Sequence, residues 1–142
     1  MTQAFAKAYL FEAGGSADEV KRKLASVNPG TMVQAMRAGP AVNAALVEML
    51  AAQTFRAESS GAMLAKKPEI DFLLRFAGTS QIAKAIREQG AVPGKPFFAV
   101  TAGRKEIVTP AEYRSAELPR KKLSRSDLTR VERAALLDAQ RS

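Results

Sequence analysis

Hydrophobic and polar residues alternate in several short stretches of the chain, which is the pattern of β-strands with two different faces. Residues 3–13 place one set of side chains, Phe5, Lys7, Tyr9 and Phe11, opposite another, Ala4, Ala6, Ala8 and Leu10. Residues 31–38 alternate in the same way, and 95–103 and 105–109 have the composition of two more strands around Gly103. We predict strands in these four stretches.

Between the strands, apolar residues recur every three or four positions, which is the period of an amphipathic helix. Ser16 and Glu19 form a capping box that starts the first helix, and Asn28-Pro29-Gly30 ends it. We predict four more helices. The second covers 41–58, and the third lies within 62–78, with Pro68 in its first turn and Gly78 as a left-handed cap. The fourth covers 79–90 from a Thr79 N-cap, and the fifth starts from a cap at Ser124 or Ser126. In the 79–90 helix we expect Ile82 and Ile86 to face inward.

Strands at both ends of a helical middle indicate an α+β fold. We predict a small antiparallel or mixed sheet with helices packed against it and a C-terminal helix. The chain has 142 residues, which fits a single domain over 1–142. The stretch 110–125 is a candidate linker before the last helix.

The C-terminal helix carries apolar residues on two sides. Leu128, Val131, Ala135 and Ala139 form one stripe with Leu136 beside it, and Leu137 lies about 180° from that stripe on a helical wheel. Such a helix can contact its own domain on one side and a partner on the other. We therefore take Leu128, Val131, Leu136 and Leu137 as candidate partner-binding residues. The alternative is an isolated exposed leucine, which is common on protein surfaces.

The net charge is +8, and the excess is not confined to a tail. Residues 1–102 hold 12 basic and 8 acidic side chains (12 − 8 = +4), and residues 103–142 hold 10 and 6 (10 − 6 = +4). A positive excess favours phosphate-rich partners through attraction and counterion release. Many soluble proteins are basic without binding nucleic acid, so charge alone leaves both interpretations open.

The chain has no cysteine and no histidine. Disulfides, thiolate metal sites and imidazole bases are therefore excluded, and the serines have no histidine to activate them. The carboxylates are scattered and show no paired arrangement. We expect no enzymatic activity, no cofactor and no bound metal. No apolar run reaches the ~18 residues of a membrane span, and the N-terminus lacks the features of a signal peptide, so we expect a cytoplasmic protein.

The run RFAGTSQIAKAI, residues 75–86, predicts the end of one helix, a Gly78-Thr79 joint and the start of another helix. Backbone amides at a helix start lack intrahelical partners and favour negative charge, so this joint is a candidate phosphate or ribose site. Lys84 adds charge one turn further on. The alternative is an ordinary cap followed by an ordinary helix start. The pair Lys66-Lys67 suits either a phosphate contact or a solvated surface, and the cluster at 120–125 favours a solvated linker.

The run PEIDFLLRFAGTSQIAKAIREQG, residues 68–90, resembles the family of the small tRNA-binding subunit of the KEOPS complex, which includes the PRPK-binding protein (TPRKB). The common features are an acidic helix start, paired leucines, a Gly-x-x-Gln-Ile joint, an Ala-Ile pair and a closing glycine, here Glu69, Leu73, Leu74, Gly78, Gln81, Ile82, Ala85, Ile86 and Gly90. The ending VERAALLDAQ is also similar to the family's C-terminus. The chain differs from the family in two features. Ser80 stands where many relatives carry a basic residue, and the histidine that many relatives carry at the start of the preceding long helix is absent.

The resemblance implies a protein with no reaction of its own. Members of this family dock on the kinase-like ATPase subunit, stimulate it, and capture tRNA by its single-stranded CCA end, while other subunits install threonylcarbamoyl on the adenosine beside the anticodon. We accordingly expect RNA contacts at Lys66, Lys67, Gly78, Thr79, Ser80, Gln81, Ile82 and Lys84. The candidate residues of the last helix would dock on the kinase-like subunit and, through it, reach the catalytic subunit.

Two other classes of function remain open from the sequence. A general basic nucleic-acid-binding domain outside any modification complex would bind by charge, with a steep salt dependence and no need for a free CCA end. A protein–protein scaffold with incidental positive charge would bind no tRNA at moderate salt.

Overall fold

The structure is a computed structural model that describes residues 3–12, 15–39 and 42–140. Three strands, β1 (Phe5–Phe11), β2 (Met32–Arg37) and β3 (Phe97–Gly103), form an antiparallel sheet in the order β1-β3-β2. Helices pack against this sheet and a helix closes the chain, so the predicted α+β fold is confirmed. Ala13 and Ala41, which belong to the predicted first strand and second helix, lie outside the described residues.

Five α-helices connect and cover the strands: α1 (Ala17–Val27), α2 (Ala44–Ser59), α3 (Pro68–Ala77), α4 (Ile82–Gln89) and α5 (Arg125–Gln140). The start of α1 is as predicted, because the Ser16 hydroxyl accepts a hydrogen bond from the Glu19 amide at 3.2 Å. The helix α2 begins three residues later than predicted. Its N-cap is Asn43, whose side-chain oxygen accepts from the amides of Ala45 and Leu46.

The sheet is covered on both faces, and each strand sends alternate side chains to each face. One face carries Ala6, Ala8, Met32, Met36, Phe98, Val100 and Ala102, which pack against α2 and α3 in the main core. The other carries Tyr9, Ala35, Phe97 and Ala99, which pack against Val20 and Leu24 of α1. The predicted two-faced alternation of the first two strands is therefore confirmed.

The predicted strand at 105–109 is wrong. This segment pairs with a side chain instead of with a neighbouring strand. The Val108 amide donates to Asn28 Oδ1 at 2.8 Å, and Asn28 Nδ2 donates to the Val108 carbonyl at 2.9 Å. The Asn28 side-chain amide thus satisfies both backbone groups of Val108, which a strand neighbour would otherwise bond.

The stretch 110–125 packs against the sheet edge. It contains a short 3-10 helix, Ala111–Ala116, followed by an isolated bridge between Glu117 and Tyr9. The Leu118 amide donates to the Ala8 carbonyl at 2.8 Å, and Lys7 forms an ion pair with Glu117 at 3.1 Å. The Thr109 hydroxyl donates to the same carboxylate, and this hydrogen bond is the main reason that the pKa of Glu117 lies below its usual value.

A fully buried arginine joins three helices. Arg75 of α3 has no exposed surface, and its Nε donates to Asp71 Oδ1 at 2.6 Å. Its two terminal nitrogens donate to the carboxylate of Asp138 on α5, each at 2.9 Å. Asp71 also accepts from the Thr54 hydroxyl of α2 at 2.5 Å. These charge-assisted hydrogen bonds fix α5 against α2 and α3.

The face that α5 turns toward the core differs from the predicted apolar stripe. Ala134 and Leu137 are buried, Val131 is half-buried, and Leu128 and Leu136 are exposed. The reason is the arginine network, because Asp138 must face Arg75 and the adjacent Leu137 then points into the core. Leu137 is therefore a core residue, which corrects its expected place on a partner-binding surface.

Candidate nucleic-acid interface at the Gly78 joint

The joint between α3 and α4 is built on a left-handed glycine. Gly78 has φ 74° and ψ 32°, a conformation that side chains disfavour. Its amide donates to the Leu74 carbonyl at 2.8 Å, and the Thr79 amide donates to the same carbonyl at 3.2 Å. Gly78 thus closes α3 as predicted and turns the chain sharply toward α4.

The N-cap of α4 is Gln81, which corrects the predicted cap at Thr79. The Thr79 hydroxyl instead accepts from the Gln81 amide at 3.2 Å, one step before the helix begins. The Gln81 side chain makes no capping hydrogen bond, and Ser80 and Gln81 are exposed. The first amides of α4 therefore lie at an open surface without a side-chain cap, next to the Thr79 and Ser80 hydroxyls.

Ile82 and Ile86 are on the surface, contrary to the prediction that they face inward. They are 45% and 51% exposed, whereas Ala85 between them is fully buried. The short side chain of Ala85 fits α4 closely against the core, and the two isoleucines then lie outside the contact. Lys84 is also exposed, so α4 presents aliphatic surface beside positive charge.

Two arginines of α5 lie at the joint, and the sequence reasoning missed both. Arg133 Nη2 donates to the Ala77 carbonyl at 3.2 Å, and Arg130 donates to the Phe76 carbonyl. The Arg130 guanidinium also lies 4.3 Å from the centre of the Phe76 ring. These cations interact with the last carbonyls of α3, where the helix dipole favours positive charge. Their spacing of three residues on one helix was the available signal, since it puts them on one face.

The arginine pair leaves uncompensated positive charge at the joint. Burial, followed by repulsion from Arg133, lowers the pKa of Arg130, while Asp127 opposes this change. Within residues 3–12, 15–39 and 42–140, neither arginine forms an ion pair with a carboxylate. The joint therefore combines exposed amides, hydroxyls, aliphatic surface and unpaired cations.

The lysine pair expected to contribute to the same site lies at the other end of α3. Lys67 is the N-cap of α3 and Gly78 its C-cap, and the ten residues between them rise about 15 Å along the helix. Lys66 and Lys67 are both exposed. The structure brings together Gly78, Thr79, Ser80, Gln81, Ile82 and Lys84 in one continuous segment and leaves Lys66 and Lys67 about one helix length away.

A groove of about 580 Å³ opens where α4 ends. Apolar residues from several elements line it, among them Ile70, Leu73, Ile86, Val92 and Phe97, with Lys21 of α1 also at its wall. Ile86 is common to this groove and to the exposed face of α4. The aliphatic surface that starts at Ile82 therefore continues one turn along α4 into a concave region.

No protein-family model and no curated protein sequence matches this chain. Among the described residues, no group of three or more acidic side chains is placed to hold a metal ion. The described helices are all too short or too polar to cross a membrane.

Proposed function

We propose that this protein is a non-catalytic tRNA-binding subunit of a KEOPS-type complex, and that it holds the 3' CCA end of tRNA at the Gly78 joint. The observation that carries the proposal is the exposed, uncapped start of α4 at Ile82, which follows the Gly78 turn where Arg133 lies without an ion-pair partner among the described residues. The resemblance of residues 68–90 to the small KEOPS subunit supplies the identity of the RNA. In this proposal the protein acts in the cytoplasm and uses no cofactor.

The chemistry of a single-stranded RNA end suits this surface. Such an end offers unstacked bases, ribose hydroxyls and phosphates, which proteins bind by apolar or stacking contact and a basic track. Ile82 and Ile86 provide aliphatic contact, since the chain has only two tyrosines and no tryptophan. Arg133 and Lys84 provide charge, and the α4 amides with Thr79 and Ser80 provide hydrogen-bonding groups.

The proposed role of Ile82 is tested by Ile82→Glu, which places a carboxylate where a base would lie. We expect tRNA affinity to fall about tenfold or more, because the variant loses on the order of 1 kcal/mol of aliphatic contact and brings a carboxylate close to the RNA phosphates. Circular dichroism should stay unchanged, because Ile82 is already 45% exposed.

The matched control is Val108→Glu, which introduces the same negative charge at an exposed aliphatic residue in another region. It should bind tRNA almost as well as the unchanged protein. Equal losses in the two variants, or no loss with Ile82→Glu, would place the RNA elsewhere.

The exposed face of α5 is the proposed docking surface for the kinase-like ATPase subunit. Leu128 and Leu136 are 46% and 58% exposed, and large exposed apolar residues of this kind suit a protein interface. Leu136→Gln should weaken pull-down of the kinase-like subunit and its stimulated ATPase activity while tRNA binding is kept, because it adds no charge next to Arg133. Substitution is preferable to truncation, because shortening α5 would remove buried Leu137 and the Asp138 partner of Arg75. Undiminished docking by Leu136→Gln would refute this assignment.

A further inference from the structure

A basic cleft lies beside the joint, where the chain approaches α5. Its volume is about 310 Å³, and it is bounded by the N-terminal ends of α2 and α5 and by Phe76. Three cations line it, Lys121, Lys122 and Arg130, together with one carboxylate, Asp127. The lining therefore has a net positive charge of two.

The two lysines are available for a ligand. Both are exposed, and among the described residues neither has a hydrogen-bonded or ion-paired side-chain partner. Their neighbour Arg120 is different, because it forms an ion pair with Glu48 of α2. The two lysines thus line the cleft without being neutralised by a carboxylate among the described residues.

The helix ends at this cleft do not supply the attraction for an anion. The side chain of Asn43 already caps α2, and Ser124 and Asp127 cap α5 reciprocally. The carboxylate of Asp127 accepts from the Ser124 amide at 2.9 Å, so it is engaged with the backbone. The lysine and arginine side chains are therefore the groups that would draw an anion into the cleft.

Arg130 connects the cleft to the joint. It lines the cleft, and it also donates to the Phe76 carbonyl, two residues before Gly78. Arg133 follows three residues later on the same helix and donates to Ala77. Burial and the nearness of Arg133 both lower the pKa of Arg130, so a nearby anion would relieve the repulsion between the two guanidinium groups. Lys121, Lys122 and Arg130 therefore share the cleft with Asp127, and Arg133 extends the positive charge from Arg130 to the joint.

We infer that this basic track, Lys121-Lys122-Arg130-Arg133, is a second RNA subsite that binds backbone phosphates of the strand leading to the CCA end. The inference rests on the proposed function, because it takes the RNA end to be held at the Gly78 joint. The cleft binds no base specifically; it neutralises phosphates and fixes the direction in which the strand leaves the joint.

The test is the double variant Lys121→Gln/Lys122→Gln, titrated against intact tRNA at several salt concentrations. Each neutralised phosphate contributes roughly 0.7 to 0.9 to the slope of log affinity against log salt. Losing two contacts should therefore make the slope shallower by about 1.5 and weaken binding at low salt. The lysines are exposed, so the fold should be retained.

The matched control is Lys95→Gln/Lys105→Gln, which removes the same charge from two other exposed lysines. A smaller change in slope for the control supports the subsite. Equal changes in the two variants, or no change with the cleft variant, would overturn it, since the effect would then come from overall charge or from none of these lysines. A different result would refute the proposed function, namely equal binding of the unchanged protein to tRNA with and without CCA. The two claims can therefore fail separately.

Discussion

At the scale of single residues, Arg75 determines how α5 is positioned. Its guanidinium is completely buried between Asp71 and Asp138, and removing one member of a buried ionic group leaves another buried charge without its partner. The two carboxylates differ in environment, because Asp71 is fully buried whereas the side chain of Asp138 is 47% exposed. The loss of stability should therefore depend strongly on which residue of this network is substituted.

We predict that Arg75→Met lowers the free energy of unfolding by about 3–5 kcal/mol, because the Asp71 carboxylate stays buried without a counter-charge. Asp138→Asn should cost about 1 kcal/mol or less, because Asp138 is half-exposed and Arg75 keeps Asp71. Urea denaturation of both variants measures the difference. Similar costs for the two would show that Arg75 and Asp71 do not act as a buried pair.

Residue patterns predicted two local caps but not the cap of α4 or the distant contacts. Ser16 at the start of α1 and Gly78 at the end of α3 follow rules that involve only nearby backbone, and both were predicted. Arg133 was missed because its partner, the Ala77 carbonyl, lies 56 positions away in the chain. The face of α5 was misjudged for the same reason, since Arg75 and Asp138 meet only in the folded protein.

At the scale of elements, the α3–α4 joint depends on a glycine for two separate reasons. Gly78 has a positive φ, and a Cβ at this position would lie 2.8 Å from the Arg133 guanidinium carbon. Gly61, after α2, has a similar φ of 70° but open space around it. Comparing the two positions separates backbone strain from displacement of Arg133.

We predict that Gly61→Ala costs about 1–2 kcal/mol of stability, the cost of a left-handed conformation for an L-residue. Gly78→Ala should cost about the same, because the exposed end of Arg133 can move aside, but it should also weaken tRNA binding, because Arg133 then leaves the joint. Thermal unfolding and tRNA titration of both variants measure the two effects. If Gly78→Ala left tRNA affinity unchanged, Arg133 would have no role at the joint.

Elements with strong periodicity were predictable, whereas a strand-like composition without a partner strand and the inward face of α4 were not. The alternation of β1 and β2 identified both strands and their two faces. The segment 105–109 has strand-like residues, but the Asn28 side chain takes the place of a neighbouring strand. The helix α4 has eight residues, and Ala85 is its buried residue. Ile82 and Ile86, which have the side chains of core residues, are therefore exposed. Surface isoleucines are the feature on which the proposed RNA contact depends.

At the scale of the whole molecule, the positive charge has two roles that binding data can separate. Part of the net charge of +8 is engaged in ion pairs within the fold, such as Lys7 with Glu117 and Arg120 with Glu48. The cations at the joint and in the adjoining cleft have no such partner among the described residues. A protein that bound RNA only through overall charge would lose affinity with any lysine removed, whereas a defined site responds to position.

The measurement that tests the central claim most directly is a titration of the purified protein against tRNA with and without its terminal CCA, at low and moderate salt. We predict that removing the CCA lowers affinity about tenfold or more at both salt concentrations, because apolar base contacts at Ile82 are lost together with the phosphates. Equal affinity for the two tRNAs, collapsing as salt increases, would contradict the account. It would mean that a nonspecific basic surface binds the RNA and that the Gly78 joint is only a turn between two helices.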